Sequence, residues 1–238
     1  LGATSAIARG AAYAFARRGH ALYLAARDLP ELERIAADVS IRYGVPVRCG
    51  VFDAENYATH NGFLDTVVQE MNGLTGVLLA SGYMGDSLAA RTFESGSRVI
   101  AINFTGAASI LGLCADYFEK ARSGFIIGIT SVAGDRGRQS NYVYGAAKGA
   151  LNLYLQGLRN RLFPAGVRVI TVKPGFVDTA MTFGLPGLFL VASPADVGES
   201  IVKSLERRAD VIYVPWFWRY IMLIIKSIPE TVFKRLKL

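Results

Sequence analysis

The sequence predicts a doubly wound α/β domain built on a parallel sheet. Three observations lead there. Short apolar runs alternate with stretches of helical periodicity along the whole chain. The apolar runs lack strict in-out alternation, as strands covered on both faces do. The residues able to do chemistry follow directly after the runs, at the sheet edge where such folds bind ligands.

The elements follow in order. Gly2-Ala3-Thr4-Ser5-Ala6-Ile7-Ala8 reads as a phosphate-binding turn opening a helix over 6–18. A turn of this kind should follow a strand, so most of a first strand is expected upstream of Leu1. Strands are predicted at 21–25, 45–51, 76–80, 124–130, 167–173 and 211–214, and helices at 28–43, 56–72, 86–121, 140–163 and 194–208. Pro164-Ala165-Gly166 stops one helix, and Ser193-Pro194 starts another with proline in its first turn. The alternating order implies right-handed crossovers with helices on both faces. No repeat, low-complexity tract or linker interrupts the 238 residues. One domain over 1–238 is expected, with a compositionally distinct tail over 216–238.

Composition narrows the function. A hydrophobic share of 52% supports a sizeable core and argues against disorder. The net charge of +7 points to an anionic partner. No basic stripe interleaved with stacking aromatics occurs outside the tail, which argues against nucleic acid. Cys49 and Cys114 fall in a predicted strand and a predicted helix, and His20 and His60 are isolated, so no metal site is expected.

The chemistry gathers around three side chains. Tyr144 and Lys148 lie thirteen and seventeen residues after Ser131. At 3.6 residues per turn, positions i and i+4 share a helix face. A phenol has an ordinary pKa near 10, and a fixed cation beside it should lower that value. Ser131, ending a strand, can hold a carbonyl oxygen against the phenol, giving a proton donor for a ketone or an acceptor for an alcohol. Tyr142 lies six residues before Lys148, off the shared face, and reads as a packing or substrate contact. Asp53, Ala80, Gly82 and Pro174-Gly175 fall at the same predicted sheet edge. Arg27, at the end of the strand over 21–25, is placed to meet a 2′-phosphate and favours NADPH. Asp28 could instead serve the ribose, favouring NADH, or cap the next helix.

With these residues in place, the chain resembles the short-chain dehydrogenase/reductase family over nearly its whole length, which implies a Rossmann-type fold. The resemblance implies a catalytic tetrad of Asn103, Ser131, Tyr144 and Lys148, with Asn103 holding a water that links Lys148 to solvent. It implies a cofactor cradle of Gly2, Thr4, Ser5, Ala6, Ile7, Ala80 and Gly82, with Asp53 on the adenine amine. The loop Pro174-Gly175-Phe176-Val177-Asp178-Thr179 would hold the nicotinamide carboxamide, with Val177 and Thr179 among its contacts. Ser131, Tyr142 and Tyr144 are the expected substrate contacts. Two departures stand out: Ala6 and Ala8 replace glycines of the family's phosphate loop, and Leu79-Ala80-Ser81-Gly82 stands where the family has Asn-Asn-Ala-Gly. The degraded loop keeps a catalytically silent dinucleotide-binding sensor or scaffold open as an alternative.

The Ser131–Arg138 segment and the tail also resemble the reductases of decaprenylphosphoryl-2-keto-erythro-pentose. That likeness implies a lipid-linked keto sugar as substrate, a flavoenzyme oxidase as partner, and a role in cell-wall arabinan synthesis. A general reductase of hydrophobic ketones is the enzymatic alternative. The stretch from Ala180 to Ser193 is apolar and should cover the substrate. Residues 216–225 are too short to span a bilayer, yet with Lys226, Lys234, Arg235 and Lys237 they suit a membrane interface, or an arm buried on the substrate site or another subunit. A cytoplasmic, peripherally membrane-docked homo-oligomer is expected.

Overall fold

The structure is a computed structural model, and it describes residues 1–85, 92–180 and 190–236. Helix α1 (Ala6–Ala16) starts at Ser5, whose hydroxyl accepts from the Ala8 amide. Then come β1 (Leu22–Ala26), α2 (Leu29–Tyr43), β2 (Val47–Val51), α3 (His60–Glu70) and β3 (Gly76–Leu79). A long helical stretch follows as α4 (Phe93–Ile100), a π-helical turn (Ala101–Thr105) and α5 (Gly106–Ala121). The chain continues through β4 (Phe125–Ile129), α6 (Tyr142–Leu162), β5 (Arg168–Pro174), α7 (Pro194–Glu206) and β6 (Val211–Val214). Helices α8 (Trp218–Ser227) and α9 (Glu230–Phe233) form the tail.

All strand pairings are parallel, in the orders β1-β2 and β3-β4-β5-β6. Leu1 joins the two groups. Its amino group donates to Leu78 O at 2.8 Å, its carbonyl accepts from Ala80 N at 2.9 Å, and Gly2 N donates to Ala25 O at 2.7 Å. Neighbouring strand residues feed opposite layers. Ile126 and Val169 pack with α3, α5 and α6, whereas Ile127, Ile129, Ile170 and Val172 pack with α1 and α7. Burial on both faces explains why the strands read as unbroken apolar runs.

The predicted helix over 86–121 begins at Phe93, capped by the Thr92 hydroxyl, and is interrupted by the π turn. Its predicted residues 86–91, and residues 181–189 of the expected lid, lie outside the described residues. The helix predicted over 56–72 is a 3-10 turn (Tyr57–Thr59) followed by α3. Both predicted punctuations hold: Gly166 is left-handed at φ 74°, and the Ser193 hydroxyl caps α7 with Pro194 in the first turn.

One contact had no sequence expectation. A Cβ on Gly10 would lie 2.1 Å from Pro194 O, and one on Gly198 would lie 2.2 Å from Gly10 C. The two glycines therefore let α1 and α7 cross backbone to backbone. Cys49 and Cys114 are free. His60 is buried, with its ring nitrogens against Ser109 Oγ at 2.9 Å and Asp53 O at 3.0 Å, a satisfied core histidine. Among the described residues no cluster suits a metal ion.

Candidate active site

The carboxyl edge of the sheet opens into a cavity of about 1120 Å³. That exceeds the usual range for one drug-sized ligand and leaves room for a dinucleotide and a second molecule. Gly2, Thr4, Ser5, Ala6 and Ile7 line one end, beside Arg27, Asp53, Ala80 and Gly82. Ser131, Tyr144 and Lys148 lie on the same wall system, as do Pro174, Gly175, Val177 and Thr179.

Gly2 has φ +77°, and a Cβ there would lie 2.6 Å from Ser81 N. The glycine is required by the turn and by the close approach of the β3 end. The first turn of α1 carries no acidic residue that would repel a phosphate. Ala6 places its methyl on the cavity wall. Arg27 is exposed and makes no ion pair among the described residues. Asp28 accepts from Glu31 N at 3.0 Å as the cap of α2, and Asp53 accepts from Glu55 N at 3.0 Å. Each of these carboxylates therefore has a local structural role.

Ser131 reaches Tyr144 because glycines allow the loop after β4 to lie against α6. A Cβ on Gly134 would sit 2.7 Å from Gly149 N and from Lys148 C, and one on Gly145 would sit 2.8 Å from Ala133 O. The Ser131 hydroxyl accepts from Ala133 N at 3.1 Å, capping a 3-10 turn. Its presence beside the Tyr144 phenol favours the phenol's anion. Tyr144 is 7% exposed and Lys148 2%. The Lys148 ammonium donates to Ile129 O at 3.2 Å and Ser81 O at 3.5 Å, and lies 5.9 Å from the Tyr144 ring centre.

The electrostatics correct one expectation. Burial pushes the Tyr144 pKa up to about 12, against the smaller opposing effect of Ser131, rather than down. Burial also lowers Lys148 to about 8. Loss of water disfavours both charged forms and is the largest cause of each shift. The resting site thus holds a neutral phenol, the protonation state that ketone reduction requires.

Two expected site residues lie off the cavity wall. Asn103 is fully buried in the π turn. Its amide donates to Val99 O at 2.8 Å and Tyr83 O at 2.5 Å and accepts from Tyr83 N at 3.2 Å. Its side chain is thereby engaged in holding Tyr83, two residues after the Ser81 carbonyl that receives Lys148. Tyr142 is 48% exposed in the first turn of α6 and is not among the lining residues. Two residues from Tyr144 is about 200° of helix, which turns it from the shared face.

The tail contributes a wall that the sequence left open. Trp218 lies so close to Gly175 that a Cβ there would meet the indole nitrogen at 1.9 Å. Trp218 stacks edge-on with Phe176 at 5.5 Å, and Trp218, Ile221 and Ile225 face the cavity. The Ser131 loop clamps α8 in place. Asp135 accepts from Lys173 Nζ at 2.5 Å and Tyr213 OH at 2.6 Å. Arg136 donates to the carbonyls of Ile225, Lys226 and Ile228 at the end of α8 and covers the Phe233 ring at 3.9 Å. The outward face of α8 leaves Tyr220, Leu223 and Ile224 exposed.

Arg138, Ser140 and Asn141 also line the cavity, and sequence reasoning did not assign them a site role. Their only signal was membership of the segment between Ser131 and Tyr144.

Comparison with known proteins agrees with this geometry. Residues 1–185 match the family model described as short chain dehydrogenase. An uncharacterized oxidoreductase of Streptomyces coelicolor is 33% identical, covering 99% of this chain and 94% of the relative. One of Mycobacterium tuberculosis is 30% identical, covering 92% and 88%. Among solved structures, a short-chain dehydrogenase from Sphingobium yanoikuyae in complex with NADPH has a TM-score of 0.82 at 26% identity, covering 96% of this chain and 94% of that one. An NAD+-bound xylitol dehydrogenase shares the fold, with a TM-score of 0.77 at 22% identity, covering 86% and 89%. With that match across most of its length, and with serine, tyrosine and lysine gathered at the sheet's carboxyl edge, the chain belongs to the short-chain dehydrogenase/reductase family of oxidoreductases.

Proposed function

We propose that this chain is an NAD(P)H-dependent ketoreductase acting on a polyprenylphosphoryl 2-keto pentose. The observation that carries the reading is the shared cavity: Ser131, Tyr144 and Lys148 line it together with the apolar face of α8. A polar reacting end and a greasy wall suit a ketone joined to a lipid. A bound nicotinamide would supply the hydride. Gly2 through Ile7 would hold its pyrophosphate at the α1 N-terminus, and Val177 and Thr179 its carboxamide. Arg27, with no ion pair among the described residues, favours a 2′-phosphate and hence NADPH, with NADH as the alternative.

In this reading Ser131 orients the carbonyl and stabilises the charge growing on its oxygen. Tyr144 gives its proton to that oxygen. Lys148, held by Ile129 O and Ser81 O, stabilises the phenolate left behind. Asn103 is a positioning residue, keeping Tyr83 and the β3 end in place. The exposed outer face of α8, with Arg219, Lys226, Lys234 and Arg235 nearby, supports docking on an anionic cytoplasmic membrane face, where a lipid-linked substrate resides.

Tyr144→Phe tests the assignment. It keeps the ring and removes the proton donor, so turnover should fall by at least about a hundredfold while NADPH binding persists. Full turnover in that variant would defeat the reading and favour a non-catalytic dinucleotide binder. Activity on simple hydrophobic ketones but none on a lipid-linked keto pentose would favour the general reductase.

A further inference from the structure

Arg138 is a cation on the cavity wall with no charged partner among the described residues. It lines the wall on the α8 side, where the Arg138 Nη2–Met222 Sδ contact, at 3.5 Å, is its recorded polar contact. Its Nε is buried and has no hydrogen-bond partner among the described residues. Among the described residues it takes part in no ion pair, whereas Arg136, two residues earlier, pairs with Glu230. The nearest acid in sequence, Asp135, is already committed to Lys173 and Tyr213. Asn141 also lines the cavity, and its Oδ1 is buried and without a hydrogen-bond partner among the described residues. Leaving a buried guanidinium donor unmatched costs free energy. A vacant donor and a vacant acceptor lining one cavity describe a place for a polar ligand group.

We infer that Arg138 forms an oxyanion subsite, which binds a phosphate or carboxylate carried by the ketone substrate, while Asn141 accepts a hydroxyl of the same molecule. The inference deepens the ketoreductase reading by naming the charged group of its substrate, and it rests on that reading. A guanidinium offers paired donors at the spacing of two oxyanion oxygens. The cofactor is a poor candidate for this contact. In the proposed reading its phosphates would lie at the α1 and β1 end, while Arg138 packs on Met222 of α8.

The test uses the full chain loaded with NADPH and three aryl ketones: para-acetylphenyl phosphate, para-acetylbenzoate and the neutral para-methoxyacetophenone. The quantity read is kcat/KM for each anion divided by that for the neutral ketone. Arg138→Leu should lower this ratio at least about tenfold, equivalent to about 1.4 kcal/mol, for the anion that the subsite accepts. The phosphate and carboxylate arms tell the two sources apart. An unchanged ratio, or a parallel loss of NADPH affinity, overturns the inference. A chain that reduces none of the three ketones counts against the reductase reading on these compounds. Calorimetric binding of the same anions then decides the subsite alone: a tenfold or greater weakening in Arg138→Leu retains it, and equal or absent binding overturns it. Arg138→Lys, which keeps charge but loses the fork, should recover only part of the ratio, separating recognition from a merely structural effect.

Discussion

Gly134→Ala should disable this enzyme without touching a reacting group. The added methyl would meet Gly149 N and Lys148 C at 2.7 Å and Asn152 Nδ2 at 2.9 Å. Two of these are backbone atoms of α6, which cannot swing aside as a flexible side chain would. To reach an ordinary contact the loop must retreat by about 0.7 Å. Ser131 is three residues away on that loop, so it retreats from Tyr144. Overpacking of this kind costs about 1–3 kcal/mol, or roughly 2–12 °C in Tm for a chain of this size. A misplacement approaching 1 Å at a reacting centre costs up to about a hundredfold in rate. Steady-state NADPH oxidation with a ketone, read beside a thermal melt, checks both numbers. Gly157→Ala on the same helix is the control. Its Cβ would meet nothing within 4 Å, so it should stabilise by about 0.5–1 kcal/mol. Wild-type turnover and melting in Gly134→Ala would refute the idea that this contact sets the Ser131–Tyr144 geometry.

Further outcomes follow from the same site. Lys148 titrates near 8 when folded against an ordinary 10.5, so between those values the unfolded chain holds more protons and stability rises with pH. Urea midpoints should climb from pH 8 to 10 and lose that component in Lys148→Met. Because Tyr144 stays protonated to about 12, the basic limb of ketone reduction should follow Lys148 and fall above about pH 8, and a limb that begins near 10 would contradict it. Arg27→Ala should weaken NADPH by at least about tenfold, as expected for loss of a charge-assisted phosphate contact, and leave NADH binding nearly unchanged in a fluorescence titration. Equal losses for both cofactors would remove the 2′-phosphate role. The double change Leu223→Glu with Ile224→Glu should abolish flotation with vesicles containing anionic lipid, while Trp218 and Met222 keep the inner face of α8 packed. Undiminished flotation would exclude that face as the membrane contact.

The sequence by itself determined the layered α/β architecture, the strand positions and the identity of the serine, tyrosine and lysine that line the cavity. These features are local or periodic. An apolar run records burial on both faces, and a spacing of four residues records a shared helix face. The tertiary structure alone decided how those groups meet. Gly134, Gly145 and Gly149 permit an approach between segments that no spacing rule describes. The burial of Tyr144 raised a pKa that charge counting would lower, because desolvation depends on every atom packed around the phenol. Asn103 turned inward to Tyr83 because a π turn reset its helix face. The tail became a cavity wall once Arg136 fastened the end of α8, and Arg138 emerged as a cation unmatched among the described residues. Each of these outcomes depends on partners distant in sequence and adjacent only in the folded chain.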